Sequence, residues 1–248
     1  ILDCAGLPFL EETANIAKFY ERKYPNVKAA LNLDHGGSYE EIVSAIRFGF
    51  SSVMIDRSTL PYDENVREVK EIVKIAHVLG VSVEAELGHV GQGFEYEETR
   101  DSGLTVPKEA IRYVEETGVD CLAVAVGTSH GAYKGTPHLD FELLDELHHK
   151  ISIPLVLHGG SGTGDDNLKK AVETGIQKVN LFTDLSNAGL KSMLAYMGID
   201  WDNMQQDGSK GEFANMKANL CDAGIEAGKG YADLLAHYIT LFGGKGRA

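Results

Sequence analysis

Short apolar runs rich in Val, Ile and Leu recur along the chain at 1–4, 29–33, 52–55, 81–87, 121–126, 154–157 and 178–182. Unbroken runs of this kind suit strands covered on both faces. Between them, residues 9–23, 39–47, 65–79, 107–117, 141–149 and 165–174 carry apolar positions at helical spacing. Strand and helix therefore alternate. Gly49, Gly80, Gly118 and Gly175 each close a helical stretch directly before the next apolar run, where a left-handed cap residue is wanted. That punctuation marks a repeated βα unit.

Such alternation fits a doubly wound open sheet or a TIM (β/α)8 barrel. The barrel is the expected fold, because polar and charged residues stand at the C-terminal end of nearly every apolar run, where barrels place their chemistry. Seven strands are counted where eight close a barrel, and the chain opens inside what reads as a strand. The sequence shown is therefore expected to lack its first strand and helix. Residues 187–243 read as helical and polar, longer than one barrel helix and interrupted by Gly208 and Gly211. They are expected to form the last barrel helix plus a C-terminal helical extension, within a single domain spanning 1–248.

The 248 residues, 43% of them hydrophobic, can bury one large core. A formal net charge of −14 opposes nucleic acid or an anionic membrane surface as the main partner. An anionic small molecule would need local positive charge, from a metal or a few placed cations. Cys4, Cys121 and Cys221 are odd in number and far apart, so neither a disulfide framework nor a cysteine zinc site is indicated. A reducing cytoplasm is the simpler setting. With no apolar run of about 18 residues and no signal-peptide pattern at the start, a soluble protein is expected.

Three histidines stand just past strand ends and each is followed by glycine: His35, His130 and His158. Barrel strands converge at one rim, so residues distant in sequence can meet there around one ion. Three protein ligands with an open fourth position is the arrangement of a catalytic zinc site. His77, His89, His138, His148, His149 and His237 fall on helices or polar loops, where solvated or capping roles are the default. Asp34 precedes His35 and can move a proton beside the metal, or else cap a turn. Asp56 and Glu86 also occupy strand ends and can orient the histidines or take the cation themselves. Gly159-Gly160-Ser161-Gly162 leads into a helical run, leaving backbone N–H groups for a phosphate, and 180–183 opens the adjacent helix.

Taken together these segments resemble the class II, metal-dependent ketose-bisphosphate aldolases, in particular the tagatose- and fructose-bisphosphate branch. The resemblance covers about 30–185 and rests on Leu-Asp-His-Gly (33–36), Ser-Val-Met-Ile-Asp-Arg-Ser-Thr-Leu-Pro (52–61), Val-Ser-Val-Glu-Ala-Glu-Leu-Gly (81–88), Gly-Thr-Ser-His-Gly-Ala-Tyr-Lys-Gly (127–135), Val-Leu-His-Gly-Gly-Ser-Gly (156–162) and Lys-Val-Asn-Leu-Phe-Thr-Asp-Leu (178–185). It implies a zinc ion on His35, His130 and His158, with Glu86 able to take the metal in another position and a monovalent cation as a possible companion. It implies Asp34 as the acid/base at the breaking bond. Gly131, Lys134, Gly159, Gly160, Ser161, Asn180 and Thr183 would hold the dihydroxyacetone phosphate half of a sugar phosphate. A homodimer or homotetramer is the implied assembly.

Three departures bear on this reading. The family's loop glutamate is expected where Phe94 stands, and Glu95 replaces it only by a one-residue slip. Phe182 stands where fructose-type enzymes carry aspartate and tagatose-type enzymes a small residue, and Ser186 where many carry a basic one. Arg57 replaces a small residue and can supply a displaced cation for a distal anion. Tagatose 1,6-bisphosphate is the first expected substrate and fructose 1,6-bisphosphate the second, with sulfofructose 1-phosphate or a deoxy-gluconate phosphate as alternatives. A non-catalytic accessory subunit is the competing reading. A metal-dependent hydrolase on the same fold is weakened by the absence of a His-x-His pair.

Overall fold

A computed structural model describes residues 2–91, 101–131, 133, 137–199 and 220–247. Among these residues, six strands form one all-parallel sheet: β1 (Asn32–Gly36), β2 (Ser52–Ile55), β3 (Ser82–Leu87), β4 (Cys121–Val124), β5 (Leu155–Leu157) and β6 (Ile176–Val179). The helices are α1 (Leu2–Lys23), α2 (Tyr39–Phe48), α3 (Tyr62–Val78), α4 (Pro107–Thr117), α5 (Phe141–Lys150), α6 (Asp165–Thr174), α7 (Thr183–Tyr196) and α8 (Leu220–Leu241).

Spatial strand order equals sequence order, β1 to β6. This decides between the two topologies left open by the sequence. A doubly wound sheet reverses direction at a switch point and places helices on both faces, whereas sequential order keeps every crossover on one face. Consecutive helices from α1 to α6 accordingly pack side by side, each against its successor. The result is a half-barrel with helices outside and a concave inner face.

Side chains alternate along each strand, and the two faces differ in chemistry. In β3, Val83, Ala85 and Leu87 join the apolar layer under the helices, with Leu33, Val53, Ile55, Leu122, Val124, Leu155, Leu157 and Ile176. Each Leu, Ile or Val fully buried there contributes about 1.5–3 kcal/mol relative to exposure. That layer holds a sheet whose inner face mixes Met54, Ala123 and Val156 with charged residues. Glu84 and Glu86 occupy the inner positions of β3, each 1% exposed.

Local signals explain the helix limits. Ser38 accepts a hydrogen bond from Glu41 N at 3.1 Å, and the Glu41 carboxylate accepts from Gly37 N at 2.9 Å, so α2 starts with a reciprocal cap. Asp140 caps α5 through Leu143 N at 2.9 Å. The four punctuating glycines, Gly49, Gly80, Gly118 and Gly175, all have positive φ.

Two sequence expectations are corrected. Residues 2–4 are not a strand but the first turn of α1, so six strands rather than seven are present among the described residues. A short apolar run has no period of its own, and here it belongs to a helix that buries Leu10 and Ala14, four residues apart. The first and last strands are also displaced, β1 towards the C-terminus of its expected run and β6 towards the N-terminus. The C-terminal region comprises α7 and α8, which pack closely on each other.

Candidate functional site

The C-terminal ends of β1, β3 and β5 and the loops after β4 and β6 bring the expected residues together. Pairing of β1 with β2 breaks register between Leu33 and Gly36. Within that irregularity His35 takes φ 51°, a left-handed conformation that a histidine adopts at a cost of about 1–3 kcal/mol. The bulge turns the His35 ring into the site while Asp34 stands exposed on the rim. Gly36 has to follow, because a Cβ there would lie 2.5 Å from the Met54 carbonyl oxygen.

One nitrogen each of His35, His130 and His158 lies within 4.8 Å of the others. His35 Nε2 and His158 Nδ1 are 2.9 Å apart, and the His130 ring centroid is 5.0 Å from that of His35. The remaining nitrogens of two of these rings are tied back. His35 Nδ1 meets Asp56 Oδ2 at 2.7 Å, and the other Asp56 oxygen accepts from Ser58 N and Ser58 Oγ. His158 Nε2 meets Glu84 Oε1 at 2.9 Å, and Lys178 Nζ holds Glu84 Oε2 at 2.7 Å.

Charge follows these contacts. Burial works to lower the His35 pKa, but the hydrogen bond to Asp56 and the charges of Asp34, Asp56 and Glu86 outweigh it, leaving it above its ordinary value. Burial and the neighbouring His35 and His158 push His130 down to about 4, so its ring is neutral near pH 7. Burial works to raise Asp56 and Glu84, yet the bond from His35 to Asp56, and those from His158 and Lys178 to Glu84, bring both below the usual range. Glu86 is raised by burial and by the charge of Asp56.

Glu86 Oε1 accepts from Val90 N at 3.0 Å, whereas its buried Oε2 has no hydrogen-bond partner among the described residues and lies 3.8 Å from His158 Nδ1. An unsatisfied carboxylate oxygen beside convergent imidazoles is a set that a divalent cation would satisfy. The residues therefore fit a metal. His35, Asp56 and Glu86 form a second convergent group, and Asp34, Glu84 and His158 a third.

Asp34 Oδ1 accepts from Asn180 Nδ2 at 3.0 Å, which ties the proposed acid/base to the loop after β6. The glycine turn after β5 is built by close approach. Gly159 has φ 66°, and a Cβ there would lie 2.4 Å from the Ser129 carbonyl oxygen. Tyr133 OH accepts from Ser129 N and donates to Gly159 O, joining the two loops. Gly160 N donates to Asn180 O at 3.1 Å. Ser161 Oγ accepts from the backbone N–H groups of Phe182 and Asp184 at the start of α7, where Thr183 is the first helical residue. Gly131 follows His130 with φ 80°, and among the described residues nothing lies within 4 Å of where a Cβ would stand.

Not every expected residue joins this group. The Arg57 guanidinium pairs with Glu68 of α3 and donates to Asp56 O. With Tyr39, Ile55, Glu71 and Ile72 they line a separate pocket of about 280 Å³. Phe182 is exposed at the start of α7. Phe94, Glu95 and Lys134 lie outside the described residues. Glu84 and Lys178 had no role in the sequence reading. The signal for Glu84 is its two-residue spacing from Glu86, which puts both carboxylates on the same face of a strand, and Lys178 has none of its own.

Comparison with known proteins agrees with this architecture. Residues 5–247 match the family described as Fructose-bisphosphate aldolase class-II. A Bacillus subtilis (strain 168) protein named "Probable fructose-bisphosphate aldolase" is 42% identical over 186 residues, which cover 75% of this chain and 65% of that protein. The crystal structure of the YdjI aldolase from Escherichia coli K12 superposes with a TM-score of 0.77 at 32% identity, covering 96% of this chain and 78% of that one. The fold also matches that of fructose-bisphosphate aldolase from Campylobacter jejuni, with a TM-score of 0.73 at 21% identity over 94% of this chain and 75% of that one. The chain spans about two thirds of the length of the curated relative. It belongs to the class II fructose-bisphosphate aldolase family.

Proposed function

We propose that the protein is a zinc-dependent aldolase that reversibly cleaves a ketose 1,6-bisphosphate into dihydroxyacetone phosphate and an aldehyde phosphate. The observation that carries this reading is the meeting of His35, His130 and His158 beside Asp34 and the Gly159–Ser161 turn. His35 Nε2, His158 Nδ1 and one nitrogen of His130 would hold the ion, with Glu86 beside them. Bound zinc supplies a Lewis acid that draws charge from the substrate's carbonyl oxygen.

The chain's own groups supply the rest. In the cleavage direction Asp34 takes the proton of the hydroxyl whose carbon leaves as the aldehyde, and it returns a proton in condensation. Asn180 holds one Asp34 oxygen, and the other would accept that proton. The backbone around Gly159, Gly160 and Ser161, with Thr183 at the start of α7 and Gly131 opposite, offers donors to the phosphate. On the same reading Lys134 and Glu95, both outside the described residues, would supply a cation for the phosphate and a second carboxylate for proton exchange. Arg57 serves a distal anion by leaving Glu68.

We read the half-barrel as part of a (β/α)8 barrel, forming one domain whose last helix continues into a C-terminal extension. A homodimer or homotetramer in the cytoplasm fits this reading. Tagatose 1,6-bisphosphate is the first substrate to test and fructose 1,6-bisphosphate the second. A coupled assay of both, with sulfofructose 1-phosphate alongside, is expected to show cleavage that a chelator abolishes and zinc restores. Asp34→Asn is expected to lower kcat by about 10²–10⁴-fold. Turnover that survives complete metal removal would sink the proposal.

A further inference from the structure

The least expected feature of the half-barrel's inner face is a charged chain running away from the histidine cluster. Lys178 Nζ lies 2.7 Å from Glu84 Oε2, and Glu84 Oε1 lies 2.9 Å from His158 Nε2. Glu84 is 1% exposed and His158 is fully buried. Barrel interiors are ordinarily filled by branched apolar side chains. Burying a carboxylate there is costly unless both oxygens are matched. Here both are, and Cys121 Sγ adds a weak contact to Oε2 at 3.8 Å.

We propose that Glu84, braced by Lys178, is a positioning residue that fixes the tautomer and ring orientation of His158, so that Nδ1 presents its lone pair to the metal. The inference rests on the metal-centre reading above. A carboxylate only accepts hydrogen bonds, so the 2.9 Å contact requires the proton to sit on Nε2. In a neutral ring Nδ1 is then the unprotonated nitrogen, and it is the one facing His35 Nε2 and Glu86.

Two contacts bear on the opposite tautomer, the first being the 2.9 Å approach of Nδ1 to His35 Nε2, where either nitrogen can carry the proton. In the second, Asn180 Nδ2 lies 3.1 Å from His158 Nε2, and an amide N–H donating there would require Nε2 to be bare. The carboxylate prevails on two grounds. A charge-assisted bond is roughly twice as strong as one between neutral groups. The Asn180 amide also has an ionised acceptor of its own in Asp34, at 3.0 Å. Lys178 contributes by occupying Glu84 Oε2, which leaves Oε1 as the oxygen turned towards the ring.

Long-range proton–nitrogen correlation spectra of the zinc-free protein read the tautomer directly. His158 is expected as the Nε2–H form, and finding the Nδ1–H form overturns the proposal without any variant having to fold. Zinc affinity, measured by competition with a chromophoric chelator, is expected to fall about 10–100-fold in Glu84→Ala. Glu84→Gln retains an acceptor oxygen and is expected to recover most of that loss. Unchanged zinc affinity in Glu84→Ala overturns the positioning role while leaving the metal centre intact. A wild-type protein that binds no zinc, yet shows the Nε2–H form, overturns the metal-centre reading instead.

Discussion

Two glycines near the histidines show how much a single backbone position can decide. Gly159 and Gly131 both have positive φ, 66° and 80°. A Cβ at Gly131 would meet nothing within 4 Å among the described residues, whereas one at Gly159 would meet the Ser129 carbonyl oxygen at 2.4 Å. Gly131→Ala therefore carries only the left-handed strain of about 1–2 kcal/mol. Gly159→Ala carries that strain plus a backbone collision, and is expected to cost at least about 1 kcal/mol more. Urea unfolding of the two variants measures the difference, and equal midpoints would show that the two loops are not in contact. His35 bears similar left-handed strain without being glycine. The Asp56 bond and the β1 bulge hold it there.

At the scale of elements, α7 and α8 approach each other closely through two glycines. A Cβ on Gly189 would lie 2.9 Å from Ala227 O, and one on Gly230 would lie 2.6 Å from Ala188 O. The close approach places Tyr238 of α8 so that its OH donates to Asp184 Oδ2 at 3.2 Å. The same Asp184 oxygen accepts from Gly162 N at 2.8 Å. The C-terminal helix thus braces the glycine turn proposed to bind phosphate. Gly230→Leu should push the helices apart at a cost of about 1–3 kcal/mol. It should also raise KM for the phosphorylated ketose more than it lowers kcat. Steady-state kinetics of the folded variant tests this, and a loss confined to kcat would count against the brace.

For the molecule as a whole, sequential strand order is what makes residues 35, 130 and 158 neighbours, since each singly wound strand ends on the same rim. No helix among the described residues is long and apolar enough to cross a membrane. The concentration of titratable groups at the rim makes stability depend on pH. His130 is held at about 4 against an ordinary 6.5. Between those values the unfolded chain takes up a proton that the folded one refuses, so folding weakens as pH falls from 6.5 to 4. His35 acts with the opposite sign. Its raised value adds stability that is fully present below 6.5 and is lost as pH rises through the folded pKa. Chemical denaturation of zinc-free His130→Gln should therefore show a flatter decline between pH 6.5 and 4 than the unaltered chain. Identical slopes would mean that His130 is not shielded as described.

The βα alternation, the glycine stops and the rim location of His35, His130 and His158 were legible in the sequence, because each is a local matter of period, cap chemistry or strand-end position. The start of α1 is not legible, because residues 2–4 look alike in a strand and in a helix until neighbouring turns are counted. Glu84 and Lys178 stayed unassigned for a different reason. Which face of a strand becomes the interior depends on strand order and curvature, properties of the whole sheet that no single segment encodes. The sequence by itself determined the repeating unit and the chemistry available at its ends. Tertiary structure decided that the sheet winds in one direction, that His35 turns inward through a bulge, and that a buried glutamate and lysine stand behind His158. Each of those outcomes is set by contacts between segments far apart in the chain.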